Sequence, residues 1–113
     1  MSQILIDKIR KSRETTVTVD GHGYTVRRPT DEHAMRLHAA RANQFEVARQ
    51  CVTGWDLKEL DLIPGGGPDP VPFHETLWGE YLADHADLWG PLADAAMNAY
   101  RAHAGTLEEA AKN

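Results

Sequence analysis

Six histidines and a single cysteine are the side chains best suited to chemistry in this chain of 113 residues. A zinc-type site needs three or four such ligands converging on one ion. His33 and His38 stand five apart and share no helix face, and no third ligand follows at metal-site spacing. His74, His85 and His103 are scattered, and Cys51 has no Cys or His nearby. Asp84, His85 and Asp87 have the types of an acid–base group, yet no nucleophile or oxyanion-binding element accompanies them. Carboxylates so placed serve as helix caps. The run Gly65-Gly66-Gly67 is not followed by Gly-Lys-Ser/Thr, so it reads as a flexible connection and not as a phosphate loop. The expectation is a protein with no catalytic residue, no metal and no cofactor, and not an enzyme.

Bulk properties narrow the class. The length fits one domain with a modest core, of the kind that often completes itself by association. A hydrophobic content of 42% with 26% charged residues lies in the globular range. One cysteine cannot form an internal disulfide, which fits a reducing cytosol. No apolar run reaches membrane-spanning length, and "MSQILIDKIRKSRE" lacks the order of a signal peptide. A cytoplasmic protein with no membrane partner is expected. The net charge of -5 is unevenly spread: residues 1–49 hold nine Lys/Arg and six Asp/Glu, residues 50–113 three and eleven. The carboxylate excess disfavours nucleic acid as a partner. Pairing of the basic half of one copy with the acidic half of another uses the same asymmetry.

The elements that would position these residues are mostly helical. Residues 4–14 read equally as a strand or a helical turn. Thr15–Val19 and Tyr24–Arg28 alternate β-branched residues around Asp20-Gly21-His22-Gly23, which predicts a β-hairpin of open register. Thr30 is a helix N-cap, with Asp31 and Glu32 in the turn where the helix dipole favours negative charge. Met35, His38, Ala42, Phe45, Ala48, Val52 and Trp55 recur at spacings of three and four, predicting one amphipathic helix over Asp31–Val52 with Gly54 as its C′ residue. Residues 63–70 form a Gly/Pro linker. A second helix is expected over Phe73–Leu82, and a third from Asp87 or Leu88, with Pro91 tolerated in its first turn. Thr106 and Glu109 have capping-box spacing in a frayed tail, residues 104–113. The fold class expected is mainly α: a single domain, 1–113, of about three helices with an N-terminal β-hairpin. Residues 1–14 stand as an N-terminal arm.

Apolar and aromatic surface remains: Phe45, Trp55, Phe73, Trp78, Tyr81, Trp89 and Tyr100. Such residues fill a thin core or anchor an interface, and the sequence leaves both uses open. Gly54, Trp55, Val71 and Phe73 are the expected structural anchors. Trp55, with Leu57, Leu60 and Leu62, would fold over the helix end as a plug beside which Val71 and Phe73 dock.

The order "YTVRRPTDEHAMRL", "VTGWDLKEL", "PVPFHETL" and "YLADHADLWGPL", spanning roughly residues 24–103, resembles a tail assembly chaperone of long-tailed bacteriophages or prophages. The Val-x-Gly-Trp passage and the Pro-Val-Pro-Phe entry carry most of the likeness. His74 departs from it, since the family often has Ser or Thr there as an N-cap. The resemblance implies a chaperone that binds and solubilises the tape measure protein in the host cytoplasm. It would help recruit tail tube protein subunits, act as a homo-oligomer, and be absent from the finished virion. Phe45, Trp78, Tyr81, Trp89 and Tyr100 are candidates for client or self contact, chosen for their chemistry alone. Two alternatives stand beside this reading: a small oligomeric head–tail or tail connector, and a DNA-binding regulator using Arg27, Arg28 and the Arg10–Arg13 cluster. Some members of the family are also made in two lengths by ribosomal frameshifting, and the closing Lys112-Asn113 is compatible with a slippery adenine run.

Overall fold

Asp20 and Gly21 take left-handed backbone angles (φ 51° and 82°) and close a two-residue turn. That geometry matches the twist of an antiparallel pair, and Asp-Gly is among its preferred sequences. The turn joins β1 (Glu14–Val19) to β2 (His22–Arg27) and settles the register: Val17 lies opposite Tyr24, and Thr15 opposite Val26. Directly opposed residues share a face, so Val17 and Val19 line up with the buried Tyr24 and Val26.

In the computed structural model, which describes residues 2–112, the chain opens with α1 (Ser2–Lys11) before this hairpin. Asn113, the second member of the Lys-Asn pair, lies outside the described residues. After β2 come α2 (Asp31–Ala39), α3 (Gln44–Cys51) and β3 (Val52–Trp55). A short α4 (Glu59–Leu62), α5 (Glu75–Ala83), a 3-10 turn (Ala86–Leu88) and α6 (Trp89–Lys112) follow. The expectation of about three helices with a hairpin as the only sheet is therefore corrected. Among the described residues there are six α-helices and a three-stranded antiparallel sheet in the order β1-β2-β3.

Two local events overturn the single helix over Asp31–Val52. The first is a stop at Ala40. Arg41 adopts φ 53°, its N–H donates to His38 O, and the N–H of Ala42 donates to Leu37 O. This is a Schellman closure with arginine where glycine is usual. Asn43 then caps α3 by accepting from Glu46 N at 2.9 Å. The resulting turn re-aims the helix surface, so Leu37 is buried while Met35 and His38 are exposed. The second event is the end at Cys51. Val52 is already extended (φ -89°, ψ 129°), and the chain runs directly into β3. Gly54 is thus a strand residue opposite Thr25, not a helix C′. A Cβ there would come within 2.9 Å of Thr25 Oγ1, which explains glycine at the crossing.

Small residues let the helices approach the sheet and one another. Ala48 on α3 and Ala93 and Ala96 on α6 are buried, beside Val47, Cys51 and Leu92. Pro91 falls in the first turn of α6, where its missing N–H removes no interior bond. α6 then runs 24 residues, about 36 Å at the helical rise. Thr106 bonds back to Ala102 O within this continuous helix and does not cap a separate one.

The Gly/Pro stretch at 63–70 is tied down. Leu60 N donates to Gly67 O, Glu59 N to Asp69 O, and Val71 N to Leu57 O, all at 2.9–3.1 Å. Gly67 N also donates to the Glu59 carboxylate at 3.1 Å. Gly66 sits so close to α4 that a Cβ would lie 2.6 Å from the backbone carbon and oxygen of Glu59. Gly66→Ala is expected to destabilise by about 1–3 kcal/mol, because backbone and not a flexible side chain must move. Gly67→Ala meets nothing within 4 Å and is expected to change stability by less than about 0.5 kcal/mol. Urea unfolding of the two variants side by side checks this; equal effects would mean the loop is slack.

Candidate functional site

Each of the three indoles is used as an internal clamp. Trp55 Nε1 donates to Val71 O at 2.7 Å, Trp78 Nε1 to Ala48 O at 3.3 Å, and Trp89 Nε1 to Leu82 O at 2.7 Å. A buried indole N–H needs such a partner, and a backbone carbonyl satisfies it while crossing between elements. Trp78 has no accessible surface. Its ring centroid lies 5.6–6.4 Å from those of Tyr24, Trp55, Phe73 and Tyr81, in mostly tilted or edge-on geometry. Trp55 meets Phe73 edge-on at 5.0 Å. Gly54, Trp55, Val71 and Phe73 thus lie where β3 meets the strand-like segment that enters α5. Leu57 is fully buried beneath them, Leu62 half-buried, and Leu60 exposed.

The other candidates for client contact are also engaged. Phe45 packs edge-on against Trp89 at 5.2 Å. Tyr81 stacks on His85 at 3.9 Å, and His85 Nδ1 donates to the Tyr81 carbonyl at 2.6 Å, which places its proton on Nδ1. The Tyr100 hydroxyl donates to Asp31 Oδ1 at 2.7 Å and ties α6 to the first turn of α2. Phe45, Tyr81, Trp89 and Tyr100 keep partial exposure, and Phe45 and Trp89 adjoin each other. His74, the departure from Ser or Thr, caps α5 nonetheless, its Nδ1 accepting from Thr76 N at 3.2 Å.

Burial pushes the Tyr24 phenol well above its ordinary range, and burial raises Tyr81 as well. Unfolded, both ionise near pH 10. Above about that pH the unfolded state releases protons that the folded state retains, so stability must fall as pH rises. Below it, this contribution is complete. Urea midpoints are expected to drop on going from about pH 9 to 11, and less so in Tyr24→Phe. Parallel pH profiles of the two proteins would refute this.

One exposed apolar surface is α1. It buries none of its residues. Leu5, Ile6 and Ile9 fall on one side of it, and Leu5 is 60%, Ile6 39% and Ile9 46% exposed. Ile4 flanks them at 62%. Lys8, Arg10 and Lys11 occupy the last turn, where the helix dipole favours positive charge. This face was legible in "ILIDKIRK", but only once that stretch is known to be helical. The far end of α6 is likewise bare, with Leu107 57% exposed. Among the described residues no group of three or more His, Cys, Asp or Glu is placed to hold a metal, and no helix is long and apolar enough to cross a membrane.

Comparison with known protein families, with curated proteins and with solved structures finds no match to this chain.

Proposed function

We propose that this chain is a tail assembly chaperone of a long-tailed phage or prophage: a non-enzymatic binder that keeps the tape measure protein soluble and presents it to tail tube subunits. One observation carries the proposal beyond the sequence resemblance: α1 buries none of its residues and leaves Leu5, Ile6 and Ile9 between 39% and 60% exposed. Isolated helices shorter than about 12–15 residues are marginal in water, so a ten-residue α1 gains its stability by packing on another chain. A long helical client offers such a seam, and helix-on-helix packing of Leu5, Ile6 and Ile9 is the mode of contact. The three cations beside them favour clients with acidic flanks. Several copies along one client would multiply a weak contact.

The deciding experiment is co-expression with the tape measure chain encoded alongside. Soluble tape measure protein that co-purifies with this chain, and is insoluble without it, is the expected result. A tape measure protein whose solubility is indifferent to this chain would overturn the proposal. Presence of the chain in purified virions would favour a connector instead.

A further inference from the structure

β1 is an edge of the sheet, since the order β1-β2-β3 gives it a neighbour on one side only. Which of its backbone groups face outward follows from one bond. Arg28 N donates to Arg13 O at 2.9 Å, one step beyond the Glu14–Arg27 pair. In an antiparallel pair, successive residues turn their N–H and C=O alternately toward and away from the neighbouring strand. Counting from Arg13, residues Thr15, Val17 and Val19 face β2, and Glu14, Thr16 and Thr18 face away. Among the described residues, no backbone group bonds to that outer row.

Open edges are usually blunted by lysine or proline, by a bulge, or by being very short. β1 has none of these devices. It is six residues long, about 20 Å, and contains no lysine or proline. Its register with β2 is unbroken. Apart from Glu14 it consists of threonine and valine, types that favour extended chain. Thr15, Thr16 and Thr18 are exposed.

We infer that β1 pairs antiparallel with β1 of a second copy, across a two-fold axis at Thr16, so that two sheets become one. Such an axis sets one residue opposite itself, and the sequence selects which. With Thr16 there, the outward groups of Glu14, Thr16 and Thr18 meet those of the partner's Thr18, the partner's Thr16 and the partner's Glu14. None of the outer row is left over. An axis at Val17 would set Glu14 against the partner's Asp20, two carboxylates directly opposed. The Thr16 register instead places Asp20 alongside the partner's Ser12, between the partner's Lys11 and the partner's Arg13, where the charges are opposite. Val17 and Val19 keep their side chains on the core face, because directly opposed residues share a face. The pairing is made by backbone groups and uses none of Leu5, Ile6 and Ile9, so it stands whether or not the chain handles a tape measure protein.

The test is sedimentation equilibrium of the full chain across a dilution series, with no client present. A reversible dimer is expected. Thr16→Pro removes an N–H that β2 does not use, so the fold is retained while the dimer loses a ladder bond from each copy. Its dissociation constant should rise about tenfold. If Thr16→Pro fails to fold, Thr16→Lys and Thr16→Glu decide, since the side chain they replace is exposed. Each alone opposes like charges at the axis and should weaken the dimer about fivefold, and mixing the two variants should restore it. Leu5→Glu with Ile9→Glu should leave the dimer intact. A monomer at every concentration, a dimer indifferent to the Thr16 variants, Lys and Glu variants that do not pair when mixed, or a dimer dispersed by the α1 changes would each overturn the inference.

Discussion

Trp78→Ala is expected to cost about 3–5 kcal/mol, the range for emptying a buried aromatic site. Trp78 is the residue through which most of the fold is connected. Its ring touches Tyr24 on β2, Trp55 on β3, Phe73 before α5 and Tyr81 on α5, and its N–H reaches Ala48 on α3. Removing it opens a cavity that α5 cannot close without drawing two strands along. The Ala48 carbonyl is not orphaned, because it also accepts from Val52 N at the end of α3. The cost is therefore chiefly one of packing. Against a total stability of about 5–15 kcal/mol for a domain, a loss of this size removes between about a fifth and all of it. Trp55→Ala should cost less, since that ring is only partly buried. Urea unfolding followed by circular dichroism measures both. A Trp78→Ala loss under about 1 kcal/mol would mean that the indole is not the centre of the core.

The second large effect concerns function and should leave stability untouched. Leu5→Glu combined with Ile9→Glu places two carboxylates on the exposed face of α1. Because neither residue is buried, unfolding free energy is expected to change by less than about 0.5 kcal/mol. On the proposed chaperone role, solubilisation of the tape measure chain is expected to be lost, since an apolar seam cannot bury unpaired carboxylates. Arg41→Glu, an exposed charge change elsewhere, serves as the control. Full client solubility with the double variant would remove α1 from the contact. Attention would then return to the partly exposed rings of Phe45, Tyr81, Trp89 and Tyr100.

The two variants also separate the roles that the aromatic content left entangled. Seven aromatic residues outside the hairpin looked equally suited to a core or a groove. Each tryptophan N–H proves to be spent on a backbone carbonyl of another segment, so the indoles act as fold clamps. The large apolar side chains left exposed are aliphatic: Ile4, Leu5, Ile6, Ile9 and Leu107 near the two ends of the chain, and Met35, Leu60 and Ile63 between them.

What the sequence determined by itself are features set within about four residues of one another. Asp20-Gly21 dictated the hairpin turn because few residue pairs take left-handed angles in succession. Thr30 dictated the start of α2, where its hydroxyl accepts from His33 N at 3.1 Å. Pro91 confined the start of α6 to the turn before it. Tertiary structure alone decided the rest. Val52–Trp55 carries a helical spacing of apolar residues, yet it pairs with Tyr24–Val26 some thirty residues earlier. No local pattern encodes that choice; it follows from the free edge of β2 and the need to satisfy its backbone groups. The break at Arg41 is hidden for a related reason. An arginine in the left-handed region has no sequence signature, and the Asn43–Glu46 cap was the one local sign of a new helix. The order in residues 63–70 likewise depends on α4 standing close enough to bond them, which glycine permits but does not announce. Local chemistry chose the turns and caps, and contacts between distant segments chose which apolar residues became core and which were left exposed.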